Sequence, residues 1–148
     1  MKYAHTSITA LDWKKLSDFY INVFRCTLAS PVKRYSGAWV DKVTGLCGAQ
    51  VAGVSLALPG YGANGPVLEI FSYQELVEKG PVMPNQKGYT HIAFQVEDIE
   101  ETLDQSIKNG GGQLGEIAEI RVEGAGTLKL LYLRDPEGNL IELQSRRK

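Results

Sequence analysis

Cysteine and histidine are both scarce in this chain, with two of each among 148 residues. Cys26 and Cys47 form no C-x-x-C pair, which leaves no thiolate zinc site or disulfide framework to expect and suits a reducing cytosol. Cys26, beside an apolar helix end, reads as a packing residue. Long hydrophobic runs are missing as well. No stretch approaches the ~18 apolar residues of a membrane span, and the first residues hold no apolar signal core, so the expectation is a cytoplasmic protein without a membrane partner. Neither sign of charge dominates, because 16 basic and 17 acidic residues give a net charge of −1. That balance offers no electrostatic handle for nucleic acid. The one basic cluster, Arg146, Arg147 and Lys148, reads as a solvated tail. The glycine runs at Gly60 to Gly65 and Gly110 to Gly112 lack the lysine or the preceding strand that a phosphate-cradling loop needs.

What is present is a 43% hydrophobic content, enough for a real core in one compact unit or two small packed ones. The two histidines and two of the glutamates are placed alike. His5, Glu69, His91 and Glu142 each sit mid-strand in a short apolar segment, in the order His, Glu, His, Glu. YAHTSIT is followed by a helix-like stretch and later by PVLEIFSY; YTHIAFQV is likewise followed by a helix-like stretch and then by NLIELQS. This is an internal duplication of paired modules, since a solenoid would require at least three repeats.

Side chains alternate between faces along a strand. Ile92, Phe94 and Val96 therefore oppose His91; Leu68 and Ile70 oppose Glu69; Ile141 and Leu143 oppose Glu142; and Ile8 opposes His5 in the weakest alternation of the four. Each candidate donor falls on the face away from the core. After each histidine strand comes a helix. Leu16, Phe19, Tyr20, Val23 and Phe24 form an apolar stripe with Asp12 as N-cap. Ile99, Leu103 and Ile107 recur every four residues, Asp98 with Glu101 forms a capping box, and Asn109 with Gly110 ends the helix. Further strands are expected at Ala38 to Lys42, Ala49 to Leu58, Glu116 to Val122 and Thr127 to Arg134, with DPEGN turning between the last two strands. The expected class is α+β, built as two β-α-β-β-β modules over residues 1–78 and 89–148, with the Pro- and Gly-rich stretch 79–88 as connector.

HTSITALDWKKLSDFYINVF, PVLEIFSY, HIAFQVEDI and LRDPEGNLIELQ together resemble the vicinal oxygen chelate superfamily, which contains glyoxalase I, methylmalonyl-CoA epimerase, extradiol dioxygenases and the bleomycin and fosfomycin resistance proteins. The resemblance implies paired β-α-β-β-β modules forming a cupped mixed sheet around a metal, in a homodimer whose two chains often share each cleft. It carries His5, Glu69, His91 and Glu142 onto the four ligand positions, the arrangement of metal-dependent glyoxalase I of the bacterial type.

A single glutamate on the outer face of a strand would read as merely solvated; four donors at equivalent places in duplicated halves read as a set. Two imidazoles and two carboxylates suit Ni²⁺, Co²⁺, Mn²⁺ or Zn²⁺ and leave positions for two substrate oxygens. A small hydroxy-carbonyl substrate bound there would lose the proton beside its carbonyl, the ion stabilising the enediolate. Glu142 is assigned as the base that moves this proton, with Glu69 as ligand and second base. Four rival activities stand beside this glyoxalase-I-like lyase or isomerase. An extradiol dioxygenase would want further histidines, and both are already used. A metal-free drug-binding protein of the bleomycin-resistance type would need no ligands, and a fosfomycin-type transferase has no place for Glu69. An acyl-CoA epimerase of the methylmalonyl-CoA type stays open, because none of Arg25, Arg34, Arg121 and Arg134 falls at a matching glutathione-anchor position. Tyr35, Trp39, Tyr61 and Phe71 either line a substrate pocket or pack in the core.

Overall fold

A strand with apolar residues at every second position offers one face to a hydrophobic layer and leaves the other open. In the computed structural model, which describes residues 1–124 and 126–147 with Arg147 by its backbone alone, this rule organises two units, Met1–Lys79 and Gly80–Lys148.

The first unit runs β1 (His5–Thr9), α1 (Trp13–Phe24), β2 (Thr27–Leu28), β3 (Lys33–Tyr35), α2 (Ala38–Thr44), β4 (Val51–Ala57) and β5 (Val67–Tyr73). Its five-stranded sheet has the order β1-β5-β4-β2, with β3 also pairing to β4; β1 lies parallel to β5 and the other pairs are antiparallel. The second unit runs β6 (His91–Gln95), α3 (Ile99–Lys108), β7 (Gly112–Gln113), β8 (Ala118–Val122), β9 (Gly126–Arg134) and β10 (Leu140–Arg147). Here the order is β6-β10-β9-β7, with β8 pairing to β9, and again the first and last strands are parallel. The β-α-β-β-β plan is thus present in both mixed sheets, each half carrying one further two-residue strand.

One helix covers the apolar face of each sheet. Asp12 caps α1, its carboxylate accepting from the Lys14 and Lys15 amides at 3.0 and 3.1 Å. Leu16, Phe19, Tyr20 and Phe24 are buried against β4 and β5, over Val54, Leu56, Leu68 and Ile70. Asp98 caps α3 by accepting from the Glu101 amide at 2.9 Å, as the capping box requires. Ile99 and Leu103 are buried with Leu131, Leu133, Ile141 and Leu143 in that unit. Lys129 of β9 bonds Glu100 at 2.6 Å and so ties the helix start to the sheet. The DPEGN turn is held by Asp135, whose carboxylate accepts from the Glu137 and Asn139 amides and from the Asn139 side chain.

Two expectations are corrected. The segment Ala38 to Lys42 is not a strand but the start of α2, and the strand that pairs with β4 is β3. Short runs such as Ala-Trp-Val do not distinguish strand from helix by periodicity. Glycines at both ends decide it: Gly37 and Gly45 take φ of 92° and 73°, and the Gly45 amide closes the last turn onto the Asp41 carbonyl. Asp41 also accepts from the Gly48 and Ala49 amides, folding the following loop back onto the helix. In α3, Ile107 is exposed and Ser106 takes the buried place, completing a stripe with Ile99 and Leu103. Of the basic C-terminal residues, Arg146 is exposed in β10 and Lys148 lies outside the described residues.

Leu103→Ala should cost about 2–5 kcal/mol in urea denaturation by leaving a cavity, while Ile107→Lys should stay within about 0.5 kcal/mol. Burial pushes the Cys26 thiol up to about 11, whereas Cys47 is exposed. A thiol reagent at about pH 8 should therefore label one cysteine promptly and the second only after unfolding.

Candidate metal centre

The parallel pairing of first and last strands brings each histidine beside its glutamate. In the first unit His5 lies opposite Val67, one alternation from Glu69, and its Nε2 is 3.5 Å from Glu69 Oε2. The other carboxylate oxygen, Oε1, accepts from Lys33 Nζ and from Ser55 Oγ, each at 3.1 Å, while Lys33 Nζ also donates to Ser55 Oγ at 2.7 Å. Ser55 stands directly across from Glu69, and Gly53 lies between Lys33 and Phe71 in the ladder. A Cβ on Gly53 would come within 2.5 Å of the Phe71 ring and 2.0 Å of the Ile70 carbonyl oxygen. Glycine is therefore what lets the ring lie down across β4, and Lys33 Nζ sits 5.8 Å above that ring.

The second unit repeats the plan with different partners. His91 Nε2 is 3.7 Å from Glu142 Oε2, and Glu142 Oε1 accepts from the Gln144 amide. Tyr132, across the ladder from Glu142, meets the His91 ring edge-on at 5.1 Å. Burial first, and then its hydrogen bond to Glu142, raises the Tyr132 phenol above its ordinary value. Protonated, it donates to the carboxylate. Thr90 Oγ1 is 3.1 Å from His91 Nδ1; with the proton on Nδ1 donated to that hydroxyl, the Nε2 lone pair is left for a ligand.

The donor chemistry fits a divalent cation. In both units one carboxylate oxygen is held by protein donors and the other is turned towards an imidazole nitrogen, the division that orients a one-oxygen ligand. The carboxylates are the more sheltered partners, with side chains 17% and 13% exposed against 49% and 30% for His5 and His91. Among the described residues neither unit by itself gathers three His, Cys, Asp or Glu side chains into a metal-holding group. Each unit supplies one His–Glu pair.

Three of the four aromatic candidates wall the open face of the first unit. Tyr35 packs edge-on against Trp39 at 5.2 Å and tilts against Phe71 at 6.2 Å. Val40 of α2 joins Val51 and Phe71 in the same cluster, so the helix that replaced an expected strand borders Glu69's face. Tyr61 is exposed in the loop after β4. Arg34 lies on the opposite face of β3 from Lys33, and Arg134 is committed to the Gly138 carbonyl at 2.8 Å. Sequence reasoning missed Lys33, Gly53, Ser55, Tyr132 and Gln144. Gln144 is within reach of it, being two residues from Glu142 on an alternating strand; Lys33 is not, because the three residues of β3 are too few to show a period.

The family model described as Glyoxalase/Bleomycin resistance protein/Dioxygenase superfamily matches residues 2–143. The chain belongs to that superfamily. It is 28% identical over 140 residues to the uncharacterized protein YaeR of Escherichia coli (strain K12), covering 94% of this chain and 92% of that one. It is 34% identical over 93 residues to a probable lactoylglutathione lyase of Vibrio cholerae, about three-fifths of each chain (60% and 61%). The crystal structure of a glyoxalase family protein from Bacillus cereus shares the fold at a TM-score of 0.77 and 24% identity, over 100% of this chain and 94% of that one. No helix among the described residues is long and apolar enough to cross a membrane.

Gly53→Ala should destabilise the protein by about 1–3 kcal/mol in urea denaturation, since ladder backbone and Phe71 must both move to admit the methyl group. Gly62→Ala, which meets open space, should have little effect by comparison.

Proposed function

We propose that this protein is a divalent-metal-dependent lyase or isomerase of the glyoxalase I kind, acting on a small hydroxy-carbonyl compound. The observation that carries the reading is the repeated His–Glu pair, in which His5 with Glu69 and His91 with Glu142 turn Nε2 towards Oε2 while Oε1 is held by neighbouring donors. Superfamily membership and the likeness to a probable lactoylglutathione lyase support it. In this reading the two pairs serve one Ni²⁺, Co²⁺, Mn²⁺ or Zn²⁺ ion, drawn together within one chain or between the two chains of a homodimer, and the protein works in the cytoplasm.

The ion supplies Lewis acidity towards the substrate's two oxygens when bound. The residues divide the remaining work. Glu69 is fixed from two sides by Lys33 and Ser55, and serves as ligand. Glu142, which accepts from the Gln144 amide and stands across the ladder from Tyr132, acts as the base; it takes the proton beside the carbonyl and returns it to the neighbouring carbon. The Tyr132 hydroxyl steadies the carboxylate between these events. Tyr35, Trp39 and Phe71 provide an apolar wall for the substrate body and keep water from the reacting carbon.

Nickel-loaded protein should hold about one ion per chain by elemental analysis, and His5→Ala and His91→Ala should each lower that content. Glu142→Gln should keep the fold and lower turnover of a methylglyoxal hemithioacetal or another accepted hydroxy-carbonyl substrate roughly 100- to 10,000-fold. Full activity without stoichiometric metal, or unchanged turnover in metal-replete Glu142→Gln, would overturn the reading.

A further inference from the structure

We infer that Lys33 makes this site selective for an anionic chelating substrate, a 2-hydroxy or 2-oxo carboxylate, over a neutral hydroxy-carbonyl of the same shape. The inference rests on the metal reading above. One divalent cation, two carboxylates and two neutral imidazoles sum to zero charge; Lys33 adds a positive charge that this balance leaves uncompensated.

Lys33 is placed to act as an anchor. Its ammonium is bonded to Ser55 and Glu69 and rests above the Phe71 ring, on the open face of the sheet, with Glu69 between it and His5. A solvated surface lysine has no such fixed address, and immobilising one costs entropy at the moment of binding. Here that ordering is already done. An ammonium carries three donors, of which two are used among the described residues, so one N–H remains for a ligand. Glu69 is its present counter-charge, and once that carboxylate shares its charge with a divalent cation the ammonium is left seeking an anion. In the second unit Glu142 accepts from the uncharged Gln144 amide and stands across the ladder from the uncharged Tyr132. The extra charge therefore stands beside the first unit's carboxylate, and it would fix which end of an asymmetric substrate carries the acid group.

The test uses lactate and lactamide, isosteres that differ in charge, titrated by calorimetry into nickel-loaded wild type, Lys33→Met and Lys33→Arg, with the metal content of each measured first. Lys33→Met should weaken lactate roughly 10- to 100-fold, the worth of a charged hydrogen bond, and leave lactamide unchanged; Lys33→Arg should restore most of the lactate affinity. Full metal content with lactate binding unmoved by Lys33→Met, or with both ligands weakened alike, overturns this inference alone. Loss of metal in both lysine variants assigns Lys33 to holding the site and also overturns it. Absence of metal from the wild type overturns the functional reading and this inference together.

Discussion

Burial of alternate strand residues beneath a single helix is the constraint on which both halves of the protein depend. Leu68 and Ile70 in the first unit, and Ile141 and Leu143 in the second, are almost wholly buried. Each such side chain contributes about 1.5–3 kcal/mol when removed from water. Because the side-chain period is two, a slip of one residue would expose this layer and drive Glu69 or Glu142 into it, where an unpaired carboxylate costs several kcal/mol. The apolar face thereby dictates the polar one. Parallel pairing of β1 with β5 and of β6 with β10 then puts a histidine beside each glutamate in two separate sheets.

The duplicated pairs share a plan but differ in electrostatic surroundings. Glu69 lies in a charged cradle of Lys33 and Ser55, whereas Glu142 is met by a phenol and an amide. Duplication supplies two similar carboxylates, and the residues across the ladder, Ser55 in one half and Tyr132 in the other, make them unlike. Even Gly53 belongs to this differentiation, since its missing side chain allows Phe71 to lie beneath the lysine.

The histidine and glutamate strands were legible because alternation, capping residues and turn chemistry all act locally. Asp12 and Asp98 cap the helices they precede, and DPEGN closes the last hairpin through Asp135. Local signals fail where an element is short. The run Ala38 to Lys42 has strand-like composition, yet glycines at both ends bound it as a helix, and the three-residue β3 ahead of it is too brief to show a period. In α3 the spacing of Ile107 satisfies a helical repeat, but the sheet meets the helix on a narrow stripe and Ser106 falls within it.

By itself the sequence determined the duplicated plan, the face on which His5, Glu69, His91 and Glu142 stand, and the two helices that cover the other face, because each follows from the period of a strand or helix and its capping residues. Only the tertiary structure decided that Lys33 reaches Glu69 across 36 positions of chain, that α2 borders the same face, and that Tyr132 stands over His91. Those contacts depend on the register of neighbouring strands, and register is set by the packing of whole sheets against their helices rather than by any local run of residues.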